Sequence, residues 1–219
     1  MTALAAPATP VVAEASDPVL DAALSAFLDF GIRRTSMGEI ARRAGISPAT
    51  LYRRYAQKSD VVMAVGLLEA SLILSELERV IDATAPPLEQ LTVLHLTVTA
   101  RVRSNRLLQR VLATEPETVL PKITVDADPI LEIGRGYLAA FLIRLQTEGH
   151  LPAYDVRPVA DCLARLAQSE VLTPSAEPMS DEAAVAFVRD HLAPFIRLSA
   201  LPVVESVETC APQNEGNRR

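Results

Sequence analysis

The chain has 219 residues, 49% of them hydrophobic, and a net charge of −6. The length accommodates one domain or two small ones, and the Ala- and Leu-rich composition with 8 Gly and few aromatic residues favours an all-α fold. No apolar run is long enough to span a membrane, the N-terminus lacks the pattern of a signal peptide, and two distant cysteines do not predict a disulfide framework, so a cytoplasmic protein without a membrane partner is expected.

The first predicted helix follows an N-terminal arm, residues 1–16, whose Ala, Pro and Thr bias is typical of a disordered segment. Asp17 is a candidate N-cap with proline directly after it, and Leu and Phe residues then recur at helical spacing. Gly31 is expected to end this helix.

Two further short helices are predicted within residues 17–60. Ser36 and Glu39 form a capping box, which is typical of a helix start, and Gly45 supplies a turn after it. The next helix starts at Ser47 with a proline at its first position. Two short helices joined by a glycine-containing turn indicate a helix-turn-helix.

Residues 61–201 are predicted to form a larger helical domain, and residues 202–219 a polar, disordered tail. A long amphipathic helix joins the two domains, and proline-rich joints separate the helices that follow it. The predicted helices run over residues 59–83, 87–104, 106–114, 127–149, 156–172 and 181–199.

A basic segment, residues 31–58, contrasts with the acidic remainder of the chain. It holds seven Lys and Arg residues against one acid, a local charge of +6, whereas the rest of the chain carries −12. A basic patch on an acidic body indicates a surface that binds a polyanion. A solvated charged face is the alternative that charge alone leaves open.

The third predicted helix has the form needed to enter a major groove of double-stranded DNA. Small residues stand at its start, so its N-terminal turn can approach base edges, and longer polar side chains can reach the flanking phosphates. The residues predicted to contact DNA are Thr35, Ser36, Ser47, Pro48, Ala49, Thr50, Tyr52, Arg53, Arg54 and Lys58.

The stretch "TSMGEIARRAGISPATLYRRYAQKSDV" resembles the DNA-binding signature of the TetR family of bacterial transcription regulators. The matching features are paired hydroxyls, Ile-Ala, Ala-Gly-Ile-Ser, Thr-Leu-Tyr, a following aromatic residue and a lysine. The resemblance implies an all-α homodimer. It also implies a three-helix N-terminal DNA-binding domain and a larger helical domain that forms the dimer interface and often holds an inducer pocket.

The last two predicted helices carry broad apolar stripes. Pairing of these helices with their copies would form a four-helix interface with the two-fold symmetry that a palindromic operator requires. Packing inside one subunit is the alternative. The predicted interface residues are Leu163, Leu166, Phe187, Leu192 and Phe195.

A ligand cavity is predicted from the helix over 87–104, where a polar stripe runs beside an apolar one. His95, Thr99 and Arg103, with Tyr137 and Phe141 from the central helix, are the candidate lining residues for a small lipophilic effector. The alternative is that His95 and Arg103 merely lie at the surface.

Catalytic chemistry finds little support in the sequence. The three histidines show no ligand spacing with each other or with cysteine, and no nucleophile has a base near it, so neither a metal, a cofactor nor enzymatic activity is expected. The resulting hypothesis is a dimeric DNA-binding regulator, most simply a repressor that a lipophilic effector releases. The alternative hypothesis is an all-α ligand-binding or enzymatic protein whose basic patch binds an acidic partner.

Overall fold

The computed structural model describes residues 17–173 and 179–198, and within these ranges all regular structure is helical. The predicted arm, tail and final residue of the last helix lie outside the described residues. The helices are α1 (Pro18–Phe30), α2 (Met37–Arg43), α3 (Pro48–Arg54), α4 (Lys58–Val80), α5 (Pro87–Ser104), α6 (Arg106–Thr114), α7 (Pro116–Ile123), α8 (Asp128–Thr147), α9 (Val156–Leu172), α10 (Asp181–Phe187), a π-helical turn (Val188–Leu192) and α11 (Ala193–Leu198).

The N-terminal unit forms around one small hydrophobic core. Phe27, Ile40, Leu51 and Val61, from α1 to α4 in turn, are each fully buried in it. Val111 of α6 completes this core, so the later part of the chain also packs against it. The predicted boundary at residue 60 falls at the start of α4, a helix that runs through both units.

The C-terminal unit has a separate and larger core. Leu77 of α4, Leu142 and Leu145 of α8, Ala160 of α9 and Val188 of the π-helical turn are all buried there. The helices α8 and α9 pack along each other, and a Cβ added at Gly134 would lie 3.8 Å from the Cβ of Ala164, an ordinary van der Waals distance. The predicted all-α, two-part architecture is therefore confirmed.

The helix α7 is the one described helix that the sequence pattern did not predict. Its residues include Pro116 and Pro121, and a proline inside a helix cannot donate the i to i−4 hydrogen bond. Contacts outside the helix compensate. Val119 packs against the N-terminal core, and the Gln168 side chain donates a 2.7 Å hydrogen bond to the Ile123 carbonyl.

Candidate DNA-binding surface and interior cavity

The turn between α2 and α3 holds the third helix in a defined orientation. Gly45 has φ +67°, and the Ile46 N–H donates to the Ala41 carbonyl at 3.0 Å. Ser47 then caps α3, because its hydroxyl accepts the Thr50 N–H at 3.1 Å. Leu51 is fully buried, so the opposite side of α3 must face solvent.

The solvent side of α3 carries four of the ten predicted DNA contacts. Pro48, Ala49, Tyr52 and Arg53 are exposed on it, and the Tyr52 side chain is 53% exposed despite its size. No ion pair or side-chain hydrogen bond involves Arg53 within the described part of the chain. These residues form a polar surface next to small ones, as insertion into a major groove requires.

The two hydroxyls predicted before α2 have different roles. Ser36 is exposed and caps α2 by accepting the Glu39 N–H at 3.1 Å. Thr35 is only 1% exposed, and its hydroxyl donates within the domain, 2.7 Å from the Gly31 carbonyl oxygen and 3.2 Å from that of Ala26. The prediction that the Thr35 hydroxyl contacts DNA is corrected by this burial, since the side chain holds the loop after α1 instead.

Lys58 also serves the fold in a way that the sequence did not show. Its ammonium donates to the carbonyl oxygens of Ile32, Arg33 and Thr35 at 2.8, 3.0 and 3.0 Å. These three bonds match the three donors of an ammonium group. The prediction of a free point charge for a phosphate is therefore corrected, because this side chain joins the start of α4 to the loop before α2.

Arg54 is likewise engaged inside the domain. Its guanidinium makes a 2.5 Å ion pair with Asp17, the N-cap of α1. Partial burial opposes ionisation of Asp17, but hydrogen bonds from Arg54 and from the Val19 N–H outweigh it and lower the Asp17 pKa. Arg54 therefore ties α3 to α1, while its side chain remains 46% exposed.

Other cations of the basic segment also have acidic partners. One partner, Glu39, lies inside the segment, and another, Glu117, lies far outside it. Hydrogen bonds from Arg42 and Arg43 lower the pKa of Glu39 to about 2, and Arg33 pairs with Glu117 at 3.0 Å. Arg34 was not among the predicted contacts. It is exposed beside the start of α2, and toward the residues that the structure describes only its Nε makes a hydrogen bond, to the Phe30 carbonyl, so it joins Arg53 as a candidate phosphate contact.

A buried carboxylate connects the DNA-binding unit to the larger unit. Glu115, between α6 and α7, is 9% exposed and accepts the Arg33 N–H at 2.8 Å. Gly31 has φ +83°, and a Cβ at this position would overlap the Glu115 carboxylate. Nothing local in the sequence indicates this contact, because the two partners are more than eighty residues apart in the chain.

A partly open cavity of about 260 Å³ lies in the larger unit, lined by side chains of α4, α5, α8, α9, α10 and the π-helical turn. Its lining is mainly aliphatic, with Ile73 and Leu77 from α4 and Leu94 from α5 among the side chains. Ile123 at the end of α7 also lines it. The cavity therefore touches both elements that reach the DNA-binding unit, α4 directly and the α6–α7 segment through Ile123.

Three of the five residues predicted for the effector line this cavity. They are His95, Thr99 and Tyr137. Phe141 is buried but does not line it, since its ring packs beneath the Arg144 guanidinium, and Arg103 is exposed on another side of α5. The assignments of Phe141 and Arg103 are corrected accordingly.

Burial favours the neutral forms of two cavity groups, His95 and Tyr137. Desolvation lowers the pKa of His95, an effect that nearby Glu170 partly offsets. Burial, with a contribution from Glu78, raises the pKa of Tyr137 to about 12. Gln168 and Glu170 of α9 also line the cavity. They were not predicted, because a polar side chain in a helix does not indicate a position that faces the interior.

The residues predicted for the dimer interface separate into two groups. Leu163, Phe187 and Leu192 line the cavity, and Phe187 packs between the rings of His95 and His191 at 5.5 Å from each. In one subunit Leu192 is buried, whereas Leu163 and Phe187 are only partly buried, and their place in a dimer interface stays a prediction.

The other two interface candidates are not fully buried in one subunit. Leu166 lines the cavity yet remains 41% exposed, and Phe195 is half-buried against the C-terminal core. Both remain predictions for the interface.

Two negative findings apply to residues 17–173 and 179–198. No helix there is both long and apolar enough to cross a lipid bilayer. Nor do three or more His, Cys, Asp or Glu side chains come together there as a metal site.

A helix-turn-helix with an exposed third helix, followed by a larger helical unit with an apolar cavity, is the architecture of a DNA-binding regulator. The model of the bacterial regulatory proteins of the tetR family matches residues 19–65, and that of the bacterial tetracyclin repressor C-terminal domain matches residues 94–190. The chain belongs to the TetR family of bacterial transcriptional regulators.

Individual relatives agree with this assignment. An HTH-type transcriptional regulator of Mycobacterium tuberculosis is 28% identical over 180 residues, which cover 82% of this chain and 92% of that protein. The TetR family repressor AlkX of Dietzia sp., implicated in the biodegradation of n-alkanes, has a similar fold with TM-score 0.64, 21% identity, and coverage of 83% and 94% of the two chains. FadR of Bacillus subtilis, solved with stearoyl-CoA, has TM-score 0.51, 16% identity, and coverage of 84% and 98%.

Proposed function

We propose that this regulator is a homodimeric repressor that binds a palindromic operator through α3 and is released by a small lipophilic ligand in the cavity. The observation that carries the proposal is the position of α4. This helix has Val61 and Val65 in the core of the DNA-binding unit and Ile73, Leu74 and other apolar side chains in the cavity wall.

The proposed DNA contacts are those that the structure leaves exposed. Pro48, Ala49 and the Tyr52 hydroxyl face the major groove, and Arg53 meets a phosphate. The exposed hydroxyls of Ser36 and Ser47 and the guanidinium of Arg34 flank them. Thr50, half-buried with its hydroxyl 2.9 Å from that of Ser47, supports this turn of the helix.

A homodimer is proposed because two recognition helices must enter successive major grooves, about 34–36 Å apart. Exposed apolar side chains on the two helices predicted for the interface support it, since Leu166 on α9 and Val185 on α10 are each 41% exposed. Two-fold pairing would cover these side chains.

Ligand release is proposed to act through two connections from the cavity to the DNA-binding unit. The first is α4 itself, whose start Lys58 holds to the loop before α2. The second is α7, which lines the cavity at Ile123. The residue directly before this helix is Glu115, which accepts a hydrogen bond from the Arg33 N–H. A ligand that enlarges the cavity moves both connections, and a ligand shifts the equilibrium only by its preference for the displaced state.

The DNA part of the proposal is tested by selecting binders from a random duplex library with the purified full-length protein. The expected result is an enriched inverted repeat with one half-site per subunit. Arg53→Ala should weaken binding to that repeat, whereas Arg165→Ala, an exposed arginine on α9, is the matched control and should not. Retention of no duplex, even at low salt, contradicts the proposal.

The ligand part is tested by adding 1-decanol to the complex with the selected repeat. We expect release of the wild-type protein. Ala167→Phe fills the cavity from α9 and should bind DNA without responding to 1-decanol, while Ala140→Phe, on the exposed side of α8, should respond normally. An equal response from both variants would remove the cavity from the mechanism.

A further inference from the structure

The charge of the cavity lining indicates which class of ligand the cavity accepts, provided that the proposed ligand-binding function holds. Glu170 is the only formally charged side chain among the described lining residues. A half-buried carboxylate beside an apolar cavity repels an anion, because its surroundings screen the interaction less than bulk water does. A buried anionic head group needs a cation or several donors to compensate it.

Two arginines on helices that line the cavity, Arg144 of α8 and Arg101 of α5, have partners elsewhere. Arg144 acts electrostatically on Tyr137, yet its guanidinium donates to the Gln90 side chain at 2.6 Å and also pairs with Glu148. Arg101 is ion-paired with Glu76. Neither arginine lines the cavity, so neither compensates an anion inside it.

The polar groups that do line the cavity suit an uncharged or protonated head group. The imidazole of His95 and the hydroxyl of Tyr137 make no hydrogen bond to any residue that the structure describes. A neutral imidazole offers one donor and one acceptor, and a phenol offers both. Unpaired polar groups in an apolar cavity favour a ligand that pairs with them.

We infer that the cavity binds lipophilic ligands whose polar end is uncharged or cationic, and that Glu170 excludes carboxylates of the same chain length. An alcohol donates to and accepts from His95 or Tyr137, and a protonated amine gains attraction to Glu170. A fatty acid anion meets the same apolar walls but is repelled at its head group.

The inference is tested with 1-decanol, decylamine and decanoate, which share a ten-carbon chain. Their affinities for the full-length protein without DNA are measured by isothermal titration calorimetry at pH 7. Decanoate is expected to bind about tenfold or more weakly than 1-decanol. Glu170→Gln should bring decanoate close to 1-decanol and weaken decylamine, whereas Glu182→Gln, an exposed acid on α10 outside the cavity, should leave all three affinities unchanged.

Two outcomes overturn the inference in distinguishable ways. Decanoate bound as tightly as 1-decanol by the wild type, or an affinity ratio that Glu170→Gln leaves unchanged, overturns the charge selection alone. Absence of binding by all three compounds overturns the proposed cavity function and this inference together.

Discussion

Lys58 and Arg53 allow a test that separates a cation holding the fold from a cation meeting DNA. Lys58→Met removes the ammonium but keeps most of the aliphatic side chain. Two of the carbonyls it serves, those of Ile32 and Thr35, lie in part-buried hydrogen bonds, and the bond to Arg33 is exposed. An acceptor left unpaired in a part-buried site costs about 1–2 kcal/mol, and water replaces the ammonium at an exposed site for little cost. The expected loss in free energy of unfolding is therefore about 2–4 kcal/mol.

The assay for this prediction combines two measurements on each variant. Urea unfolding reports the free energy of unfolding, and the slope of log K against log salt for binding to the selected repeat reports the number of phosphates neutralised. Lys58→Met should lower the unfolding free energy and leave the slope unchanged. Arg53→Ala should leave stability nearly unchanged and reduce the slope by about 0.9 per subunit, the value for one phosphate. The reasoning is refuted if Lys58→Met loses that slope while keeping wild-type stability.

Three further substitutions test other parts of the structure. Thr35→Val should lower the unfolding free energy by about 1–3 kcal/mol in urea denaturation, because the Ala26 and Gly31 carbonyls lose a buried donor, and unchanged stability would exclude that role. Gly31→Ala should cost about 2–3 kcal/mol, because its φ of +83° strains an alanine, and a fully stable variant would contradict the conformation. Asp17→Asn should flatten the acid dependence of stability. The lowered Asp17 pKa stabilises the wild type above the ordinary value of 3.8, and that stabilisation is lost as pH falls below it. Identical pH profiles for wild type and variant, by urea unfolding between about pH 6 and pH 3, would refute this.

Much of the DNA-binding unit was predictable because its signals are local. A cap such as Ser36 lies within one turn of the backbone groups it satisfies, and the glycine turn needs only its own residue. The exposure of Tyr52 opposite the buried Leu51 follows from helical periodicity alone. The same local rules missed α7, since Pro121 removes the periodic signal and the helix depends on contacts distant in the chain.

The charge of the basic segment shows where a local count is insufficient. The count of +6 over residues 31–58 identified the DNA-binding region. It did not reveal that Arg54 pairs with Asp17, which lies before the segment, or that Arg33 pairs with Glu117, which lies far after it. Partners that are distant in sequence decide which cations remain available, and only the folded chain brings them together.

The sequence by itself determined the helical class, the helix-turn-helix and the side of α3 that faces solvent, because backbone capping and hydrophobic periodicity act over a few residues. Only the tertiary structure decided what the apolar stripes face. The stripe that includes Leu163 was predicted to meet a second subunit, and within one subunit it lines a cavity that the pattern did not indicate. An amphipathic pattern shows which side of a helix is buried. Because the hydrophobic effect is non-directional, the pattern cannot specify which surface covers that side.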